Sequence, residues 1–163
     1  MVVSFYIRIQ LAASAKDLGV INSRRIIYVH TRTENWKKSL PTSNWLVLPI
    51  GHKKDRKGIE EVKESCPSNG VKYVCSLGQE CEFIHDVFDD SIVEKRIREG
   101  KSVEREEDFE YEPMTTWHND FNVGVWFAIH TAYDDYVDID TVVFLDMTDN
   151  GELERVQLAI TKE

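Results

Sequence analysis

"NWLVLPIG", residues 44–51, runs without a polar break from Trp45 to Ile50 and then meets a glycine. A strand with one wet face alternates apolar and polar residues, and this run does not. It has the length of a strand covered on both faces, the pattern of a parallel sheet whose crossover helices hide it. The fold class turns on whether such runs recur with helices between them.

They do. "KKDRKGIEEVKESC" (53–66) has helical spacing at Ile59, Val62 and Cys66, and Pro67 with Asn69-Gly70 predicts its end. "VKYVCSLG" (71–78) is the next strand. "CEFIHDVFDDSIVEKRIRE" (81–99) is an amphipathic helix with Phe83, Ile84, Val87, Phe88, Ile92, Val93 and Ile97 along one stripe. "DFNVGVWFAIHTAY" (120–133) predicts a mostly buried helix capped by Asn119 or Asp120, despite Gly124, with Trp126 and Ile129 inside and Trp126 carrying much of the packing. "TVVFLDMT" (141–148) is another buried strand, and "ELERVQLAITKE" (152–163) fits a helix and an edge strand equally. Strands 44–50, 71–77 and 141–147 are therefore expected side by side and mutually parallel.

Upstream, "FYIRIQLA" (5–12) alternates like a half-buried strand, and "RRIIYVHT" (24–31) is a second strand behind the turn residues Asn22 and Ser23. "TENWKKSLP" (33–41) predicts a short helix with Thr33 as N-cap and Pro41 as stop. The whole is expected to be one α/β domain over 1–163, a Rossmann-like three-layer sandwich with a largely parallel sheet. Residues 1–43 form an N-terminal β-rich extension and 44–163 the core.

No stretch approaches the roughly 18 apolar residues of a membrane span. The Ala-Ser-Ala at 13–15 imitates a signal cleavage site, but a basic n-region is missing and Arg8 interrupts the apolar run. Three cysteines cannot close a disulfide framework among themselves. These features predict a cytoplasmic protein with reduced thiols and no membrane partner. The net charge is −9, and residues 79–112 hold 13 acidic against 5 basic side chains. Such a segment repels nucleic acid and attracts basic proteins.

In parallel sheets ligands bind beyond the carboxyl ends of the strands, which here gathers "PIGHKK", "SLGQEC", "TTWHND" and "LDMTDN" on one surface. The segments "YVCSLGQECEFIHDVFDDSIVEKRI", "PMTTWH", "VWFAIHTA" and "TVVFLDMT" carry Gly78 and Cys81, Asp86 and Asp89, Thr115 to His118, and Trp126 to Ala128. This set resembles a small bacterial family of uncharacterised function, with a Gly-x-x-Cys turn and a Thr-Thr-Trp-His motif. The resemblance implies the fold and no activity.

Two chemistries compete for the strand ends. Cys81 at a helix start, with His85 one turn along and His118 nearby, has the residue types of a nucleophile and base. Acidic Glu80, Glu82 and Asp86 oppose a thiolate there. His85, Asp86, His118 and Asp120 are metal-ligand types without metal-ligand spacing, so no metal and no cofactor are expected. "GHKKDRKG" has no phosphate-loop pattern and reads as a solvated loop. Trp117 anchors the Thr115–His118 segment or meets a ligand.

The acidic segment carries aromatics as well as charge. Glu106, Glu107 and Asp108 would steer a basic partner, with Phe109, Tyr111 and Trp117 as contact residues. The functional expectation is an acidic protein-binding module, of the immunity or antitoxin type, that neutralises a basic partner such as a toxin. The alternative is a small-ligand binder or hydrolase-like enzyme using Cys81, His85, His118 and Asp146. Partner identity and oligomeric state are not written in the residues.

Overall fold

The computed structural model describes residues 15–162. The expected strand at 5–12 lies outside them. Six strands form one open sheet: β1 (Ala15–Ile21), β2 (Arg24–His30), β3 (Trp45–Ile50), β4 (Val71–Ser76), β5 (Met114–Trp117) and β6 (Thr141–Asp146). Four helices join or follow them: α1 (Arg56–Ser68), α2 (Cys81–Arg98), α3 (Phe121–His130) and α4 (Leu153–Thr161). The spatial order is β1-β2-β6-β3-β4-β5. Only β1 runs antiparallel to its neighbour; β2–β6, β6–β3, β3–β4 and β4–β5 are parallel. The expected parallel neighbours 44–50, 71–77 and 141–147 are thus β3, β4 and β6, with β3 in the middle.

Alternate residues of the strands feed two cores. On one face Trp45, Val47, Val74, Val143 and Leu145 meet Ile59, Val62 and Cys66 of α1 and Ile84 and Phe88 of α2. On the other, Leu46, Leu48, Tyr73, Cys75, Val142 and Phe144 meet Phe121, Val125 and Ile129 of α3 and Val156 and Ile160 of α4. The faces follow from the path of the chain. It steps outward from β3 to β4 to β5 and then returns to β6, and right-handed crossovers in opposite directions place helices on opposite faces. Strands covered on both sides have no wet face, which is why the 45–50 run is apolar throughout.

Asn22 and Ser23 both take positive φ (50° and 62°) in the two-residue turn between β1 and β2, the geometry of a tight hairpin. The hairpin is not an appendage. β2 pairs with β6 along its length, and Ile26 and Val29 are fully buried.

Several local expectations are corrected. Residues 33–41 form a single 3-10 turn, Trp36–Ser39, preceded by Asn35 in the left-handed region, and the Thr33 hydroxyl bonds the His30 carbonyl instead of capping it. Pro41 does end the turn, forcing Leu40 extended. Pro67 lies within the last turn of α1, and termination falls to Asn69, whose N–H reaches back to the carbonyls of Ser65 and Cys66, and to Gly70 at φ +70°. Of the two readings that 152–163 fits equally, the helix is the one found, over residues 153–161. On α2 the inner face is Cys81, Ile84, Phe88, Ile92 and Arg96, while Ile97 is exposed.

Trp126 is the largest correction. It is 52% exposed, while Ile129 is fully buried as expected. The inner face of α3 is Phe121, Gly124, Val125, Ala128 and Ile129. A Cβ on Gly124 would stand 2.3 Å from Leu77 Cδ2, so the helix comes closest to the sheet at this glycine, and Trp126, two residues along, falls on the other side of the helix. Trp126 turns outward and stacks on His130, one turn along, at 5.4 Å.

Candidate functional site

The strand-end residues form several separate arrangements. Asp146 closes β6 fully buried, with its carboxylate saturated. Oδ1 accepts from the Thr148 N–H (2.8 Å) and hydroxyl (2.6 Å); Oδ2 accepts from the Tyr28 hydroxyl (2.5 Å) and the Glu152 N–H (2.5 Å). Burial, and then the Asp146 carboxylate, hold the Tyr28 hydroxyl in its protonated form. This knot shapes the loop 147–152. That loop and Gly51, His52, Lys53 and Asp55 line a cavity of about 250 Å³ beyond the carboxyl ends of β3 and β6, where His52 and Glu152 meet at 2.6 Å.

Cys81 is the first residue of α2 and is 1% exposed. Its Sγ lies 3.5 Å from the Asn119 side-chain oxygen. Burial pushes the thiol up, and Glu82 and Glu80 add to the shift against two backbone N–H bonds. That favours a protonated sulfur over a nucleophile.

β5 divides the two histidines between the faces of the sheet. Thr115 and Trp117 point toward α2, where the His85 ring packs on Trp117 at 4.4 Å and its Nε2 lies 3.4 Å from Asp89. His85 also lies 3.3 Å from the Thr115 hydroxyl, which donates to Asp89. His118 points the other way, its ring 4.7 Å from Phe127 of α3. Its Nε2 is buried without a partner among the described residues, and burial lowers its proton affinity. Asp86 sits beside His85, and Asp120 is spent on the Val123 N–H as the cap of α3. The structure therefore gives Cys81, His85, His118 and Asp146 different partners. Among the described residues no group of three or more His, Cys, Asp or Glu side chains could hold a metal ion.

The acidic segment gives a different geometry. A groove of about 820 Å³ lies at the β5 edge. Asp89, Ile92 and Val93 of α2 line it from one face of the sheet, and Phe127, Thr131 and Ala132 from the other, with Met114 and Thr115 between them. A single cavity touching helices on opposite faces has to pass over the outermost strand. Seven carboxylates line it (Asp89, Glu106, Glu107, Glu110, Glu112, Asp134 and Asp135), and no Lys, Arg or His does. Only Glu112, paired with Arg96 and Lys95, and Glu107, paired with Arg105, meet a Lys or Arg among the described residues.

Of the contact residues expected from sequence, Glu106, Glu107 and Phe109 line the groove, and the Arg96 guanidinium lies over the Phe109 ring. Asp108 works locally, accepting from the Ser102 hydroxyl and the N–H groups of Glu104 and Arg105. Tyr111 is 77% exposed and meets Tyr136 at 5.1 Å, and Trp117 lies outside the groove. The wall from Tyr133 to Tyr136 was not anticipated. Its signal is present in "YDDYVDID" (133–140), a second acidic run with aromatics. The Tyr136 hydroxyl donates to Glu110 and joins the two walls.

Among the described residues no helix is long and apolar enough to cross a membrane. No curated protein matches the chain. Residues 26–163, from β2 to the end, match the family model described as Domain of unknown function (DUF7684), and the chain belongs to that family.

Proposed function

We propose that this chain is a protein-binding module whose β5-edge groove receives a basic partner, in the manner of an immunity or antitoxin protein neutralising a basic toxin. The observation that carries the reading is the groove's composition: seven carboxylates and no basic side chain line one cavity, and five of the seven meet no Lys or Arg among the described residues. Uncompensated carboxylates raise the local concentration of cations and speed their encounter. Phe109, Phe127, Tyr133 and Tyr136 add apolar and π surface on which Lys and Arg stems can lie. The helices on both faces of the mainly parallel sheet support a Rossmann-like three-layer sandwich as its scaffold.

The test is titration with a blocked oligolysine peptide, with oligoglutamate as control. Oligolysine should bind, and more weakly as salt is raised. Reversing Glu106, Glu107 and Asp135 to Lys should abolish binding while the melting transition stays cooperative. Asp108 is excluded from the reversal because it holds its own turn. Equal binding by the reversed variant would overturn the reading.

A further inference from the structure

The basic partner's chemistry can be narrowed from the backbone of β5. The His118 N–H bonds the Ser76 carbonyl at 3.2 Å, and Ser76 lies opposite Trp117 in the parallel ladder. In a parallel pair, alternate residues of a strand direct both backbone groups to the same side. Thr116 and His118 therefore face β4, and Thr115 and Trp117 turn their N–H and C=O groups outward. Among the described residues β5 pairs with β4 alone. The groove runs over this edge and is lined by Thr115 itself. Among the described residues a donor and an acceptor on each of two residues thus have no strand partner, beside an acidic cavity.

We propose that the partner is an extended basic segment that adds to the sheet as a seventh strand, pairing through the backbones of Thr115 and Trp117. This rests on the acidic groove being a binding site for a basic partner. A paired strand sends successive side chains to opposite faces. One set then meets Asp89, Ile92 and Val93 on the α2 side, and the other meets Phe127, Asp134 and Asp135 on the α3 side. Both flanks combine carboxylates with apolar surface, so the segment they fit carries Lys or Arg among apolar residues on either face. A basic helix offers no free backbone groups to the edge and would leave those four groups of β5 unpaired.

The probe is a blocked peptide of repeating Lys-Lys-Val-Val, which as a strand places Lys and Val on both faces, in three forms: unmodified, and N-methylated on either alternate set of amides. The unmodified peptide should bind. One methylated form should lose about tenfold or more, the other about twofold at most, because only one set faces β5. On saturation with the unmodified peptide, hydrogen exchange at the Thr115 and Trp117 amides should slow, and exchange at Thr116, already in the ladder, should not. Thr115→Pro deletes an outward donor on an edge strand, where proline is tolerated; this variant should melt cooperatively and bind weakly. Binding that ignores both methylation patterns and leaves Thr115 and Trp117 unprotected overturns strand addition while sparing the acidic groove. An unmodified peptide that fails to bind at low salt, or binds the Glu106, Glu107 and Asp135 reversal equally well, overturns both.

Discussion

At the scale of single residues, α3 offers two substitutions with opposite expected outcomes. Gly124→Ala would ordinarily favour a helix by about 1 kcal/mol. Here the added methyl would stand 2.3 Å from Cδ2 of the fully buried Leu77 and 2.9 Å from the Cβ of His118, so the neighbours have to shift to admit it. Overpacking of this kind costs about 1–3 kcal/mol, so the urea midpoint should fall. Trp126→Ala removes the larger side chain from a 52% exposed position and should shift stability by no more than about 0.5 kcal/mol. An enclosed ring would cost about 3–5 kcal/mol. His118 adds a pH dependence. Burial lowers its proton affinity from the ordinary value of 6.5, so the unfolded chain takes up this proton first as pH falls. Stability should decline from about pH 6.5 downward and stop declining on this account once the folded imidazole also protonates. Chemical denaturation across that interval should show a shallower slope in His118→Gln than in the parent.

At the scale of elements, the cap of α3 tests why this helix starts where it does. Asp120 Oδ1 accepts the Val123 N–H at 3.0 Å, and Asp120→Ala should cost about 1 kcal/mol in thermal or urea unfolding. The same comparison shows what periodicity could and could not tell. β3, β4 and β6 were legible because burial on two faces leaves short, mostly apolar runs of strand length, bounded by turn residues and separated by helical patterns. The start of α3 was legible because capping is local chemistry. Its inner face was not, since a helix apolar nearly all round has no stripe to read. Gly124 held the information, as the point of closest approach, but a glycine in a sequence does not say what it approaches. β5 was hard to define because four residues, two facing each way, give no usable period. The groove was half legible: the charge of 104–112 is local, whereas the wall at 133–136 joins it only through the fold.

At the scale of the molecule, the distribution of charge makes stability and binding pull against each other. Glu106 and Asp135 line one cavity, come from segments far apart in sequence, and have no ion-pair partner among the described residues. Folding brings them together, so their mutual repulsion, and that with Asp89, Glu110 and Asp134, opposes the folded state more than the expanded one. Screening relieves this, since the Debye length shrinks from about 30 Å at 0.01 M salt to about 10 Å at 0.1 M. The thermal midpoint should therefore rise with salt over that range. The double variant Glu106→Gln, Asp135→Asn should melt higher than the parent at low salt and converge with it as salt is added. If the same carboxylates hold a basic partner, the variant that gains stability should lose affinity for oligolysine, which is the trade expected where a site is kept under strain for function. Melting curves and titrations on the two proteins at matched salt check both halves. A variant no more stable than the parent at low salt would show that these carboxylates do not strain the fold. A more stable variant with undiminished oligolysine affinity would place the basic partner elsewhere on the surface.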